Sequence, residues 1–174
     1  PHLSCPVVRN RMTAVETLTA LTVEMERRIE LEYTDSASFK RLPRLVVVID
    51  EFPALFMGVD KSMARELTNS VSNLLQRGRH AKMHLALAAQ NPTYQNMKID
   101  LGNITARVAF KCAKKNFSEI ILGEGGAENL AGHGDLLLRS PQFDSPQRVR
   151  GIYITPNELQ QAVQHIKICH CDAT

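Results

Sequence analysis

Apolar residues recur every three or four positions in two stretches of the chain. The first stretch runs from about Thr13 to Leu31, and the second runs from Lys61 to about Gly78, where the glycine interrupts the pattern. This spacing places the apolar side chains on one face of an α-helix. The opposite face of the first stretch carries charges of both signs, which is typical of a solvated helix surface. The pattern therefore predicts two amphipathic helices.

Between the two predicted helices, the five apolar residues Leu45–Ile49 are followed directly by Asp50 and Glu51. A run this short and this rich in β-branched residues predicts a strand buried on both faces, as in a parallel sheet. Acids at the carboxyl end of such a strand lie in the crevice where open α/β sheets bind ligands. Apolar residues ending in Asp-Glu are the Walker B signature, in which the Asp helps to hold Mg²⁺ and the Glu polarises a water molecule.

A second strand is predicted from Met83 to Ala89, and it ends at Gln90. A polar residue at the end of a second buried strand points into the same crevice, so we expect Gln90 to lie beside the acidic pair. The alternative is a buried strand followed by an acidic turn with no catalytic role, because short motifs often match by chance.

The rest of the chain alternates between strand, helix and turn patterns. Loops are expected at Asp35–Pro43, at Phe52–Gly58 and across 93–104, strands at Ala106–Cys112, Asp135–Arg139 and Arg148–Ile154, and helices at Phe117–Leu122 and from Thr155 onward. The last two strands predict a hairpin, and Thr155 followed by Pro156 is a helix start. The glycines of 123–134 lack the GxxxxGK[ST] order and follow a helix, so they predict tight turns rather than a phosphate cradle. Strands alternating with helices predict an α/β fold.

Composition narrows the class of protein only slightly. The chain has 174 residues, 44% of them hydrophobic and 22% charged, which is ordinary for one globular domain. No run is apolar enough for a transmembrane helix, and no signal peptide is visible. The net charge of +3 means that any nucleic-acid binding must come from local basic patches. The four cysteines have no zinc-ligand spacing, so we expect reduced thiols in a cytoplasmic protein.

The order of these segments resembles the motor domain of the FtsK/SpoIIIE family of DNA translocases. Six motifs, in register over nearly the whole chain, carry the resemblance: PHL with PVV at residues 1–8, EMERR at 24–28, VVVIDEF at 46–52, HL through Q-x-P at 84–92, RVAF at 107–110, and GAE through GHGDLL at 126–137. The resemblance implies a RecA-like P-loop ATPase core with a mainly parallel sheet flanked by helices, plus the C-terminal hairpin.

The same resemblance implies roles for single residues. Asp50 corresponds to the Walker B Asp that holds Mg²⁺, Glu51 to the catalytic Glu, and Gln90 to the sensor. Arg79 matches an arginine finger that reaches the nucleotide of the neighbouring subunit, and an always-charged guanidinium suits developing phosphate charge. A solvated arginine after a helix end is the alternative for Arg79. ATP, Mg²⁺ and a homo-oligomeric ring, a hexamer in the family, are implied with these roles.

Double-stranded DNA is the substrate that the resemblance implies, in chromosome or plasmid transport by a protein anchored to the membrane through a segment outside this chain. Lys98, Lys114 and Lys115 are the candidate DNA contacts. Two positions depart from the family pattern, because Asn91 and Glu119 stand where the family has arginines of its DNA-contacting loops. Losing these charges weakens non-specific DNA binding, which comes mainly from neutralised phosphates.

The chain contains no GxxxxGK[ST] sequence, and it starts at Pro1 without an initiator Met. We therefore expect residues 1–174 to be one partial motor domain, the Walker B half of a longer protein, without ATPase activity of its own. In related ATPases the P-loop strand lies inside the sheet, so its absence leaves an exposed strand edge. The alternatives are a conjugative coupling ATPase, a type VII secretion ATPase, or an assembly module without catalytic activity.

Overall fold

The computed structural model describes residues 7–93, 95 and 97–171, with the side chains of 167–171 left out. Residues 1–6, which carry most of the PHL and PVV motif, lie outside the described residues. Five helices and five strands are described: α1 (Arg11–Thr34), α2 (Ser36–Arg41), β1 (Leu45–Ile49), α3 (Lys61–Arg77), β2 (Met83–Leu87), β3 (Arg107–Phe110), α4 (Lys115–Leu122), β4 (Asp135–Arg139), β5 (Gln147–Arg150) and α5 (Pro156–Cys171).

Both predicted amphipathic helices are confirmed, and polar side chains define where they begin. Asn10 caps α1 by accepting a hydrogen bond from the backbone N–H of Thr13 at 2.8 Å. Asp60 caps α3 in the same way through Met63, also at 2.8 Å. Such caps satisfy N–H groups that have no partner inside the helix.

The expected loop at Asp35–Pro43 is wrong in part, because α2 occupies most of it. Asp35 ends α1 by donating its N–H to Leu31, and its side chain caps α2 by accepting from Ser38 at 3.0 Å. At the other end of α2, the ammonium group of Lys82 donates to three carbonyl oxygens, those of Phe39, Lys40 and Leu42. A cap supplied by a lysine some forty residues away is invisible in local composition.

β1 and β2 form a parallel pair in register from Leu45↔Met83 to Ile49↔Leu87. One face of this pair packs on a core built from α1 and α3, whose buried members are Leu18, Met25, Leu67, Val71 and Leu74. The expectation that β1 is buried on both faces is wrong, because Val46 and Val48 are 62% and 71% exposed. The helices described in the structure cover only the other face of β1, which carries Leu45, Val47 and Ile49.

β3, β4 and β5 form a separate antiparallel sheet in that order. The predicted hairpin is confirmed as β4 and β5, although β5 ends at Arg150 rather than Ile154. A small core of its own, Ala109, Leu122, Ala127 and Leu130, joins this sheet to α4.

The α/β class with a parallel sheet is confirmed, but the third predicted strand does not extend that sheet. β3 pairs antiparallel with β4, from Arg107↔Arg139 to Phe110↔Leu136. Three of the five described strands are therefore antiparallel, and the expectation of one mainly parallel sheet is corrected. Within the described part of the chain, the structure contains no helix with the length and apolar character needed to cross a bilayer.

Candidate functional site

The acidic pair stands at the carboxyl end of β1, where the chain turns sharply. Asp50 is exposed and Glu51 is partly buried. Glu51 has φ 51° and ψ 59°, the left-handed region, and a 3₁₀ turn over Phe52–Phe56 follows it. A residue with a Cβ is strained by about 1–2 kcal/mol in this conformation, and such strain is concentrated at functional sites.

Backbone hydrogen bonds hold this turn against the end of β2. The N–H of Phe52 donates to the carbonyl oxygen of Ala88 at 2.7 Å, and the N–H of Ala88 donates to that of Ile49 at 2.9 Å. The ring of Phe52 is fully buried and packs edge-to-face on Phe56, with 5.2 Å between the ring centres. The carboxyl ends of the two strands are therefore tied together immediately behind the acidic pair.

A further hydrogen bond brings the second strand end to the acid itself. The backbone N–H of Gln90 donates to Oε2 of Glu51 at 3.0 Å. Gln90 therefore lies beside the acidic pair, as the strand order predicts. The group that contacts Glu51 is the main chain and not the amide side chain, which sequence reasoning missed because any residue except proline supplies a backbone N–H.

The residues present fit a magnesium ion held partly by a nucleotide. Mg²⁺ in phosphate-transfer sites uses one or two protein carboxylates and completes its shell with phosphate oxygens and water. Asp50, exposed at the strand end, offers one such carboxylate. Among the described residues, no group of three or more His, Cys, Asp or Glu side chains forms a metal site.

Arg79 is not brought together with the acidic pair. It lies in the exposed turn between α3 and β2, whereas Glu51 follows β1. Because the strands are parallel, the start of β2 and the end of β1 are at opposite ends of the sheet, about 16 Å apart for five residues at 3.3 Å each.

Gly78 allows the chain to turn into the segment that carries Arg79. A Cβ on Gly78 would lie 2.3 Å from the carbonyl oxygen of Leu74, so no other residue fits without a backbone shift. Gly78 also accepts a hydrogen bond from the N–H of Met83 at 2.8 Å. This closed turn holds the backbone of Arg79 while its side chain remains exposed.

The three candidate lysines are exposed, but they follow strands of two different sheets. Lys98 follows β2 of the parallel pair, whereas Lys114 and Lys115 lie at the start of α4, after β3. The ammonium group of Lys114 is 6.0 Å from the ring centre of Phe117. Lys115 forms an ion pair with Glu119 at 3.3 Å. An exposed pair of this kind is worth at most about 1 kcal/mol, so it moderates the charge of Lys115 without cancelling it.

The glycine-rich segment after α4 is a set of turns, as the sequence predicts. Buried Ser118 donates to the carbonyl oxygen of Glu124 at 2.9 Å and accepts from the N–H of Ala127 at 3.1 Å. The N–H of Gly126 donates to Glu128 at 2.8 Å, and this bond is the main reason that the pKa of Glu128 is lowered. The segment's polar groups are thus used to hold it against α4.

Comparison with known protein families gave no matching family model. The chain is nevertheless similar to individual proteins over nearly its whole length. It is 34% identical to DNA translocase FtsK of Treponema pallidum and 32% identical to that of Staphylococcus aureus strain Mu50, over 95% of this chain in both cases. It is 33% identical to DNA translocase FtsK of Pseudomonas aeruginosa PAO1 over 97% of the chain. The chain spans only 22%, 23% and 25% of the length of these relatives, respectively.

Among solved structures, the cytoplasmic domain of the type VII secretion ATPase EccC from Thermomonospora curvata has a similar fold. The TM-score is 0.67 at 21% identity, with 83% of this chain and 18% of that chain covered. At this identity, the likeness concerns the fold alone.

Proposed function

We propose that this chain is the acid-bearing part of an ATP-driven motor that moves double-stranded DNA. Its similarity, over 95% of its length, to a protein named DNA translocase FtsK supports this proposal. The observation that carries this proposal is the hydrogen bond from the N–H of Gln90 to Glu51. It joins the two strand ends where a Walker B acid and a sensor must meet.

In this proposal the carboxylates have separate tasks. Asp50 is exposed and holds Mg²⁺, while Glu51 orients and deprotonates the attacking water. One oxygen of Glu51 accepts from Gln90, so the other is available to the water. When bound, ATP would supply the phosphoryl group and Mg²⁺ would neutralise part of the phosphate charge. The given sequence has no GxxxxGK[ST] motif, so in this proposal the phosphate cradle comes from another part of a longer protein.

The placement of Arg79 supports an assembly with nucleotide between subunits. Arg79 and Glu51 lie at opposite ends of the parallel pair, which supports a contact of Arg79 with the nucleotide of a neighbouring subunit rather than with that of its own. A ring solves this geometry, because each subunit offers its acid end to one neighbour and Arg79 to the other. We propose that Arg79 acts on the neighbour's nucleotide, in a homo-oligomeric ring that is a hexamer as in the family.

DNA is the proposed cargo, with Lys98, Lys114 and Lys115 as phosphate contacts. The lysines are exposed, and two of them start a helix, where they can reach a ligand without losing buried contacts. Lysine contacts to phosphate carry no sequence information, as a translocase requires.

A type VII secretion or conjugative coupling ATPase is the second candidate, and one contact favours it. Glu119, at a position where the family has arginine, pairs with Lys115 at 3.3 Å. This pair reduces the positive potential where DNA would bind. Affinity of the chain for double-stranded over single-stranded DNA separates the candidates, because a protein-exporting ATPase needs neither and a conjugative coupling ATPase handles single strands.

The test of the catalytic proposal is Glu51→Gln in a complete protein that carries this segment together with a P-loop. We expect Mg-ATP binding close to that of the unchanged protein and a loss of most hydrolysis, seen in kcat, because the carboxylate orients water and does not hold the nucleotide. Glu16→Gln, an exposed acid of α1, is the matched control and should leave kcat unchanged.

Two results would overturn the assignment. Loss of Mg-ATP binding in Glu51→Gln would make Glu51 a metal ligand or a structural residue. An unchanged protein that binds Mg-ATP but never hydrolyses it would favour the assembly module.

A further inference from the structure

A tight turn precedes β4 and has an unusual backbone. Gly132, His133 and Gly134 have φ values of 87°, 54° and 84°, so three successive residues are left-handed. The histidine is the one member with a Cβ, and it is strained by about 1–2 kcal/mol there. Gly134 fixes the turn by accepting a hydrogen bond from the N–H of Gly151, just beyond β5, at 2.7 Å.

Two arginines of β5 flank this turn, and one of them is held by a carboxylate. Arg148 donates to both oxygens of Asp135, at 3.0 and 2.6 Å. Asp135 is largely buried and also accepts from the N–H of Ala131 at 2.9 Å. The hydrogen bonds from Arg148 are the main reason that the pKa of Asp135 is lowered to about 2, so the carboxylate stays charged and keeps the guanidinium in place.

Arg150 is the second arginine at the end of β5. It lies directly opposite Asp135 in the β4–β5 register, so both side chains emerge on the same face. The carboxylate of Asp135 is held by Arg148, while the side chain of Arg150 has no hydrogen bond or ion pair to a described residue and only adds a weaker electrostatic contribution to the lowered pKa of Asp135. Arg148, Arg150 and Asp135 together therefore carry a net charge of one positive unit.

The turn and the end of β5 form an open cavity of about 370 Å³, lined by His133, Asp135, Arg148 and Arg150 among others. Lys111 adds charge beside it, because a Cβ placed on Gly132 would lie 3.8 Å from Cδ of that lysine. The cavity is thus open, polar and bordered by cations from two separate segments, Lys111 after β3 and the two arginines of β5.

The same end of the antiparallel sheet carries two of the three candidate DNA lysines. Phe110, the last residue of β3, pairs with Leu136 near the start of β4. Residues that follow β3, including Lys114 and Lys115, therefore leave the sheet at the end where β4 begins and β5 finishes. The cavity and the two lysines share one end of the sheet.

We propose that this cavity binds a phosphate group of a nucleic-acid backbone, with Arg150 and His133 contacting the phosphate beside the Asp135-held Arg148. A polynucleotide fits better than a free nucleotide, because the cations continue from the cavity through Lys111 to the start of α4. This inference rests on the proposed function, in which nucleic acid passes Lys114 and Lys115. It extends the contact from one loop to the turn and β5.

The experiment measures binding of the 174-residue chain to a short fluorescent DNA duplex by anisotropy, at several salt concentrations. Arg150→Gln should weaken binding and reduce the slope of log K against log salt by about 0.9, the value for one lost phosphate contact on B-DNA. Arg150→Lys should keep the slope, because it keeps the charge. Arg65→Gln on α3 removes the same charge from an exposed site in the other half of the chain and should leave the slope unchanged.

The outcomes separate this inference from the proposed function. If Lys115→Ala lowers the slope and Arg150→Gln does not, the cavity site is wrong while the DNA-moving function stands. If the unchanged chain has no affinity for the duplex even at low salt, both are wrong. If ATP without metal perturbs the backbone amide signals of the turn by NMR and DNA does not, the site binds a nucleotide phosphate and the assignment to nucleic acid is overturned.

Discussion

The position of Arg79 leads to a prediction about which subunit it serves. Five residues of a parallel strand separate the end of the sheet that carries Arg79 from the end that carries Glu51, about 16 Å at 3.3 Å per residue. An arginine that acts in catalysis from this position must act on another subunit. Arg79→Ala should therefore lower kcat of the assembled motor by roughly a thousandfold or more, the usual size of an arginine-finger effect.

Mixed rings test the direction of this effect. Subunits with Arg79→Ala keep an intact acid end, and subunits with Glu51→Gln keep an intact arginine. At each boundary where a Glu51 site meets a neighbour's Arg79, hydrolysis should return, on the order of a thousandfold above the Arg79→Ala ring for that boundary. Steady-state ATPase activity across a series of mixing ratios measures the recovery.

Arg77→Ala is the matched control, two residues away and with the same loss of charge. Arg77 donates to Glu26 at 2.8 Å and joins α3 to α1, so its loss should leave kcat unchanged. If the two mutants co-assemble and neither rescues the other at any ratio, Arg79 acts within its own subunit or not in catalysis at all, and the inference from strand direction is refuted.

Three further outcomes are expected. The 174-residue chain alone should release no phosphate from Mg-ATP, since it has no GxxxxGK[ST] cradle; turnover above that of its Glu51→Gln form would contradict this. Lys115→Ala should lower the salt slope of DNA binding by about 0.9, whereas Glu119→Gln should strengthen binding because it frees Lys115; equal affinities for all forms would move the DNA path elsewhere. Glu24→Gln should reduce the free energy of unfolding at pH 7 by about 1 kcal/mol, since Arg27 and Arg28 hold the pKa of Glu24 near 2 against an ordinary 4.5 and exposure weakens the pair. Because the pKa of Glu24 is lower in the folded state, its carboxylate stabilises the fold at pH values above its unfolded pKa and loses this effect as it is protonated. The difference in the free energy of urea unfolding between the unchanged chain and Glu24→Gln should therefore shrink as the pH falls from about 5 to 2. A difference that stays constant would exclude the ion pair.

The sequence by itself determined the features that depend on near neighbours along the chain. The apolar spacing of α1 and α3, the strand Leu45–Ile49 and the start of α5 are local patterns, and the structure contains each of them. At Thr155 the predicted cap is present, with Glu158 N–H donating to the Thr155 hydroxyl at 3.2 Å. The meeting of Gln90 with Glu51 was also predictable, because two parallel strands must end at the same edge.

Tertiary structure alone decided the rest, because the deciding contacts join distant residues. Nothing near Val46 shows that only one face of β1 is covered, since burial depends on which helices pack there. Likewise β3 joins β4 rather than the parallel pair, a choice made by pairing and by the small core around Leu122. The basic cavity is the clearest case: His133 lies in the turn before β4 and Arg150 at the end of β5, and the antiparallel register brings these side chains to one place.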